Sequence, residues 1–167
     1  MLIRMLQHWK LRKFIKQGLQ VADDCRLASL PDFGSEPYLV SIGRHVAIAA
    51  RVSFITHDGG TTVFREQPKY RDVIRYGRIV IHDNCMIGYG AILMPGVKIG
   101  PNAIVASGSI VTKDVPPGTV AGGVPARTLM SLEQFADKCL AETPPYDRAA
   151  YKNDKVAELL RLFPRPW

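Results

Sequence analysis

The chain has 167 residues, 47% of them hydrophobic and 22% charged, with a formal net charge of +7. That size and balance describe one globular domain with a substantial core and exclude a wholly disordered chain. No apolar run is long enough to span a membrane, and Cys25, Cys85 and Cys139 form no CxxC pair, which excludes a zinc knuckle and a disulfide framework and fits a reducing, cytoplasmic setting.

Residues 1–20 combine Arg4, Lys10, Arg12, Lys13 and Lys16 with Leu2, Ile3, Met5, Leu6, Trp9, Leu11, Phe14, Ile15 and Leu19, and hold no acid. They read as a short basic amphipathic helix ending near Gly18. Such a helix has two uses: peripheral contact with an anionic membrane face, or packing over a core end or a partner subunit. The remaining charge is mixed and no nucleic-acid motif appears, so no nucleic-acid partner is expected.

The middle of the chain repeats with a period of six. Ile81, Ile87, Leu93, Ile99, Val105 and Val111 form one aliphatic column. Cys85, Ala91, Val97, Ala103, Ser109 and Val115 form a second, of small or β-branched residues. The same phase is met earlier at Ile42, Ile48 and Phe54, with Val46 and Val52 in the second column, and Val21, Cys25 and Leu27 read as an imperfect first turn. A period of six suits neither an isolated helix nor a hairpin sheet. It suits short extended segments joined by equivalent corners, three to a coil, so that residues 81 and 99, 87 and 105, and 93 and 111 stack on parallel strands about 4.8 Å apart.

The period breaks between Phe54 and Ile81. That interval is not a multiple of six, so part of it, about residues 58–78, leaves the coil. It contains Thr56-His57-Asp58-Gly59-Gly60, then Phe64, Arg65, Lys69, Tyr70, Arg71, Arg75, Tyr76 and Arg78. A basic, aromatic loop extruded from a rigid scaffold is a usual place for a binding site, and Asp58, Arg65 and Tyr70 are its candidate acceptor contacts. His57 stands where coil gives way to loop. After residue 127 the composition changes again. Ser131 and Gln134 have capping-box spacing for a helix running to about Glu142, which Pro144 and Pro145 end. A second helix is expected from Asp147, with Val156, Leu159, Leu160 and Phe163 as its apolar stripe. The expected organisation is therefore 1–20 helix, 21–127 coil with its loop, and 128–167 helical extension.

The pattern resembles the hexapeptide-repeat family, whose fold is an all-β solenoid, a left-handed parallel β-helix. The segments GAILMPGVKIG, GSIVTKDVPPGT and AGGVPAR, all between Gly90 and Arg127, are similar to the sugar O-acetyltransferase branch, which includes galactoside, maltose and nodulation-factor acetyltransferases. The resemblance implies an acetyl-CoA-dependent O-acetyltransferase, a homotrimer with sites between subunits, a sugar or glycan acceptor, and no metal. It implies that His57, in Thr56-His57, is the general base. It implies that the Tyr89 amide serves the oxyanion, that Ser107, Thr112 and Lys113 contact the coenzyme with Tyr89, and that Arg127 pairs with a phosphate.

That chemistry is sound. A hydroxyl is a poor nucleophile at neutral pH, and an imidazole that takes its proton contributes about 10²–10⁴-fold. Backbone N–H groups suit the oxyanion, and cationic side chains suit phosphate. Asp58 neighbours His57 but points the other way on an extended chain, so a backbone carbonyl is expected to orient the ring. The sequence departs from the family at Met86, where relatives often have tryptophan, and at Met130, where they have a second base. Three alternatives stay open. The first is an acyltransferase for an amino sugar, an antibiotic or serine. The second is a non-catalytic β-helix. The third is a γ-class carbonic anhydrase using His45, His57 and His82, which lack that class's close histidine pair.

Overall fold

The computed structural model describes residues 11–166. It divides into two compact units, Met1–Glu133 and Gln134–Trp167. The first opens with helical residues 11–16, α1. Gly18, at φ +100°, ends this helix in the left-handed region, where Leu19 N donates to Phe14 O at 3.0 Å. A Cβ at Gly18 would also come within 2.7 Å of Tyr38 Cβ. The rest of the expected 1–20 helix lies outside the described residues.

Short strands follow: β1 (Gln20–Val21), β2 (Arg26–Leu27), β3 (Val40–Ile42), β4 (Ala47–Ile48), β5 (Ser53–Phe54), β6 (Ile79–Ile81), β7 (Met86–Ile87), β8 (Ile92–Leu93), β9 (Lys98–Ile99), β10 (Ile104–Val105) and β11 (Ile110–Val111). They are dealt in turn to three sheets. The first orders β1-β3-β6-β9, the second includes β2-β4-β7-β10, and the third orders β5-β8-β11. All these pairs are parallel, and the expected register holds: Ile81 faces Ile99, Ile87 faces Val105 and Leu93 faces Val111.

Both columns of the six-residue period are the core. Ile81, Ile87, Leu93, Ile99, Val105 and Val111 are each at most 1% exposed, and Cys85, Ala91, Val97, Ala103, Ser109 and Val115 at most 4%. Each buried aliphatic side chain contributes about 1.5–3 kcal/mol of transfer free energy. Ser109, the polar member, is satisfied: its Oγ donates to Ala106 O at 2.7 Å and accepts from Gly123 N at 3.2 Å.

The first coil is complete. Val21 faces Ile42, Leu27 faces Ile48, and Asp32 bridges to Ser53 on the third side. Its third inward residue is Phe33, fully buried and stacked on Phe54 with ring centroids 5.1 Å apart. Phe14 of α1 packs on Phe33 at 5.3 Å, so the described part of the N-terminal segment covers the end of the core.

At the other end the chain turns back. β12 (Thr119–Gly123) pairs parallel with β10 and antiparallel with β13 (Ala126–Ser131), so a strand occupies residues where the helical extension was expected to begin. Residues 128–131 are strand because they give the second sheet's last edge a partner, opposite Thr119–Ala121.

Helix α2 (Leu132–Glu142) ends before Pro144 as expected. The second expected helix is two: α3 (Arg148–Asn153) and α4 (Lys155–Leu162). Asp154 interrupts it at φ −143°, with its carboxylate accepting from Ala157 N at 3.0 Å, so an N-cap replaces a helical residue. The expected apolar stripe is not this unit's buried face. Val156 and Phe163 are 68% and 61% exposed, whereas Glu158 is 4% exposed. Glu158 accepts from Asp147 N and from Arg161, each at 2.7–2.8 Å, and these bonds hold its carboxyl down to about 2. An ionised carboxylate stapling α3 to α4 takes the place that apolar packing was expected to fill. No described helix is long and apolar enough to cross a membrane.

Candidate active site

Two insertions lengthen the coil, and both fall at the corner leading from the third sheet to the first. Phe33 is followed by nine residues to Ile42, and Phe54 by 27 to Ile81, where the repeat needs six. The longer insertion is the loop. Its two feet are tied as an antiparallel ladder: Asp58 N donates to Arg75 O and Gly77 N to Thr56 O, both at 2.9 Å. His57 stands opposite Tyr76, with ring centroids 5.6 Å apart. Gly77 lets the second foot pack on the next coil, because a Cβ there would run into the backbone of Pro95 and Gly96.

The shorter insertion brings Glu36 to the same place. Thr56 Oγ1 donates to Glu36 Oε2 at 2.6 Å, and His57 Nδ1 lies 2.9 Å from that same oxygen. Thr56 is buried, while the His57 side chain is 43% exposed and that of Glu36 12%. Hydrogen bonds from Thr56, then Ser35 and His57, hold the Glu36 carboxyl below the ordinary glutamate range, so it is ionised near neutral pH. A carboxylate therefore occupies the position on His57 where a backbone carbonyl was expected. No sequence motif marks Glu36; its spacing from Thr56 and His57 becomes meaningful only once the first coil is stacked.

Asp58 is engaged elsewhere. Its Oδ1 accepts from Gly60 N at 2.9 Å, and Oδ2 pairs with Arg75 at 3.0 Å. Arg65 and Tyr70 brace the loop: Arg65 Nε donates to Val73 O at 2.7 Å, and Tyr70 meets Phe64 edge to face at 5.6 Å.

The remaining candidates fall on two corner columns flanking the third sheet. Ile55 N donates to Leu93 O and Met94 N to Val111 O, which places Thr112 and Lys113 on the same column as His57, both exposed. Tyr89 and Ser107 stand on the other column. Tyr89 O accepts from Gly108 N at 2.7 Å, and a Cβ at Gly88 would collide with the Ser107 backbone. Among the described residues the Tyr89 N–H has no acceptor within the chain. Arg127 joins this second column: it pairs with Gly122, where a Cβ would lie 3.0 Å from Ala106 Cβ. The Arg127 side chain is exposed and donates to Ala126 O at 2.9 Å.

One chain thus brings His57, Thr112 and Lys113 to one end of the third sheet's strands, and Tyr89, Ser107 and Arg127 to the other end. His45 and His82 lie on the remaining column, between the first and second sheets, and His45 pairs with Asp24 at 3.0 Å. Among the described residues no group of three or more His, Cys, Asp or Glu side chains is arranged to hold a metal ion.

The chain is similar in sequence and in fold to known proteins. The family described as bacterial transferase hexapeptide (six repeats) matches residues 78–113. Protein CapG of Staphylococcus aureus is 44% identical over 162 residues, covering 96% of this chain and 91% of that protein. Galactoside O-acetyltransferase of Escherichia coli (strain K12) is 39% identical over 97 residues, 58% of this chain and 46% of that enzyme. A crystal structure of a hexapeptide-repeat acetyltransferase from Vibrio cholerae superposes with a TM-score of 0.55 at 24% identity, over 79% of this chain and 93% of that one. The complex of that acetyltransferase with acetyl-coenzyme A gives a TM-score of 0.51 at 28% identity, over 69% of this chain and 61% of that one.

Proposed function

The chain belongs to the hexapeptide-repeat acetyltransferase family, and on that premise we propose that it transfers the acetyl group of acetyl-CoA directly to a hydroxyl of a sugar, with His57 as general base. The observation that carries this reading is the placement of His57. It is half-exposed, tied into a ladder at the foot of the one long loop, and on the same corner column as Thr112 and Lys113. The acetyl-CoA bound to the Vibrio cholerae neighbour supports the donor, and the galactoside relative supports a sugar hydroxyl as acceptor.

The acceptor oxygen attacks the thioester carbonyl while His57 takes its proton. The resulting oxyanion accepts from the Tyr89 N–H, a donor with no acceptor among the described residues. Collapse expels the coenzyme thiolate, which recovers the proton from the imidazolium. Ser107 and Thr112 line the approach of the pantetheine arm, and Lys113 and Arg127 are cations suited to its phosphates.

The two half-sites lie at opposite ends of the third sheet's strands, so a complete site takes one corner column from each of two subunits. This supports a homotrimer of left-handed β-helices. Asp58, Arg65 and Tyr70 belong to the loop that frames the acceptor side, with the polar groups of Asp58 and Arg65 engaged within it. The exposed cations Arg12, Lys13 and Lys16 support peripheral contact with an anionic membrane and a glycan precursor acceptor, a cytoplasmic role in polysaccharide or lipopolysaccharide synthesis.

The test is thiol release from acetyl-CoA with a panel of galactosides and oligosaccharides. His57→Ala is expected to lower kcat by about 10²–10⁴-fold while coenzyme binding and oligomeric state persist. Unchanged turnover would remove His57 from the mechanism.

A further inference from the structure

We propose that Glu36 is the positioning residue for His57: its carboxylate accepts a proton-bearing Nδ1 and thereby leaves Nε2 as the bare, basic nitrogen. This deepens the reading above and rests on His57 being the base.

Four observations carry it. His57 Nδ1 lies 2.9 Å from Glu36 Oε2, which is hydrogen-bond distance. The carboxylate is itself fixed, because the buried Thr56 hydroxyl donates to the same oxygen at 2.6 Å. Its backbone is anchored on both sides. Phe33 is fully buried, Pro37 is buried at the start of a 3-10 turn, and Leu39 N donates to Glu36 O at 3.0 Å. Finally, the other charged groups nearby have different partners: Asp58 is paired with Arg75, and Arg78 Nη1 donates to Tyr38 O at 3.2 Å.

An ionised carboxylate only accepts, so the ring nitrogen beside it must be the donor, and the tautomer follows. With Glu36 holding Nδ1–H and Tyr76 against the ring, the imidazole keeps one orientation at a surface where it is otherwise free to turn. The residue that does this lies in the first coil, outside the matched repeats at 78–113. The minimal repeat array is therefore not the whole machinery.

The experiment is ¹⁵N NMR of the imidazole rings in the full chain at a pH where they are neutral, with the His57 signals identified by their loss in His57→Ala. The wild type is expected to show a protonated Nδ1 and a bare Nε2. Glu36→Gln is expected to mix the two tautomers, because an amide can donate as well as accept. It should also lower kcat on any glycan the wild type acetylates by about 10–100-fold, with KM for acetyl-CoA within about twofold. Glu36→Asp keeps the charge and is expected to recover part of kcat.

A wild-type ring protonated on Nε2, or Glu36→Gln with unchanged tautomer and turnover, overturns the proposal. Should Glu36→Gln fail to fold, Thr56→Val loosens the carboxylate without removing it. The expected shift of the ring signals is then smaller and in the same direction, and no shift counts against Glu36. The ring signals also separate the two claims. Activity retained in His57→Ala rejects the base, while the tautomer still reports whether Glu36 holds the ring.

Discussion

The corner between the first and second sheets and the corner between the third and first do the same topological work with opposite results. On the first, successive coils repeat. Asn84 and Asn102 both sit at φ 56°, and Asn84 Nδ2 donates to Asn102 Oδ1 at 2.6 Å, one coil to the next. Asparagine tolerates the left-handed region, so the chain turns there at low cost and nothing protrudes. On the second corner, Glu36 arrives on one insertion and His57 on the other, and they meet across the stack. Regular corners build the coil. The irregular one spends extra chain to gather side chains of unlike chemistry.

Three further experiments press on that contrast. The largest expected effect lies in the regular part. Leu93→Ala empties a fully buried site between Phe54 and Val111 and is expected to cost about 2–5 kcal/mol in denaturant unfolding. A loss below about 1 kcal/mol would mean that the stacked core is not what holds the coil.

The next tests the outer edges. Lys113→Ala and Arg127→Ala remove exposed cations and are each expected to raise KM for acetyl-CoA about tenfold, roughly 1.4 kcal/mol, with the melting temperature unchanged. A fall in kcat with constant KM would instead place them at the reacting centre.

The smallest effect is in the C-terminal unit. The folded pKa of Glu158 is lowered to about 2, so its contribution is present above the ordinary glutamate value of 4.5 and is lost as pH falls toward 2. Glu158→Gln is expected to lower the helicity and melting temperature of the α3–α4 pair at neutral pH, and the difference from wild type should close across that acid window. A difference that persists at pH 2 would assign the effect to packing.

The sequence reading succeeds where the physics is periodic. Six-residue spacing carries inward direction and register together, so the facing of Ile81 on Ile99 follows from counting. It falters in the first coil, where Phe33 keeps the phase but the next residue of the aliphatic column, Ile42, comes nine positions later. His57 is visible because it stands at the break in the repeat. Glu36 does not stand out as its partner, because hydrogen-bond partners about 20 residues apart on different coils leave no local pattern. The C-terminal stripe misleads for a different reason. An amphipathic pattern tells which side of a helix is apolar but not whether anything in the chain covers it, and here the buried partner is a carboxylate.

The β12–β13 hairpin has a consequence for solubility. A pile of parallel two-residue strands is in principle extendable, since each terminal rung offers main-chain donors and acceptors to a rung from another molecule, the geometry by which fibrils grow. Reversing direction at Ala126 gives β12, the last parallel rung of the second sheet, an antiparallel partner from the same molecule, and at the other end Phe14 lies against Phe33 of the first coil. On that sheet, a parallel rung from another copy would meet a strand running the opposite way.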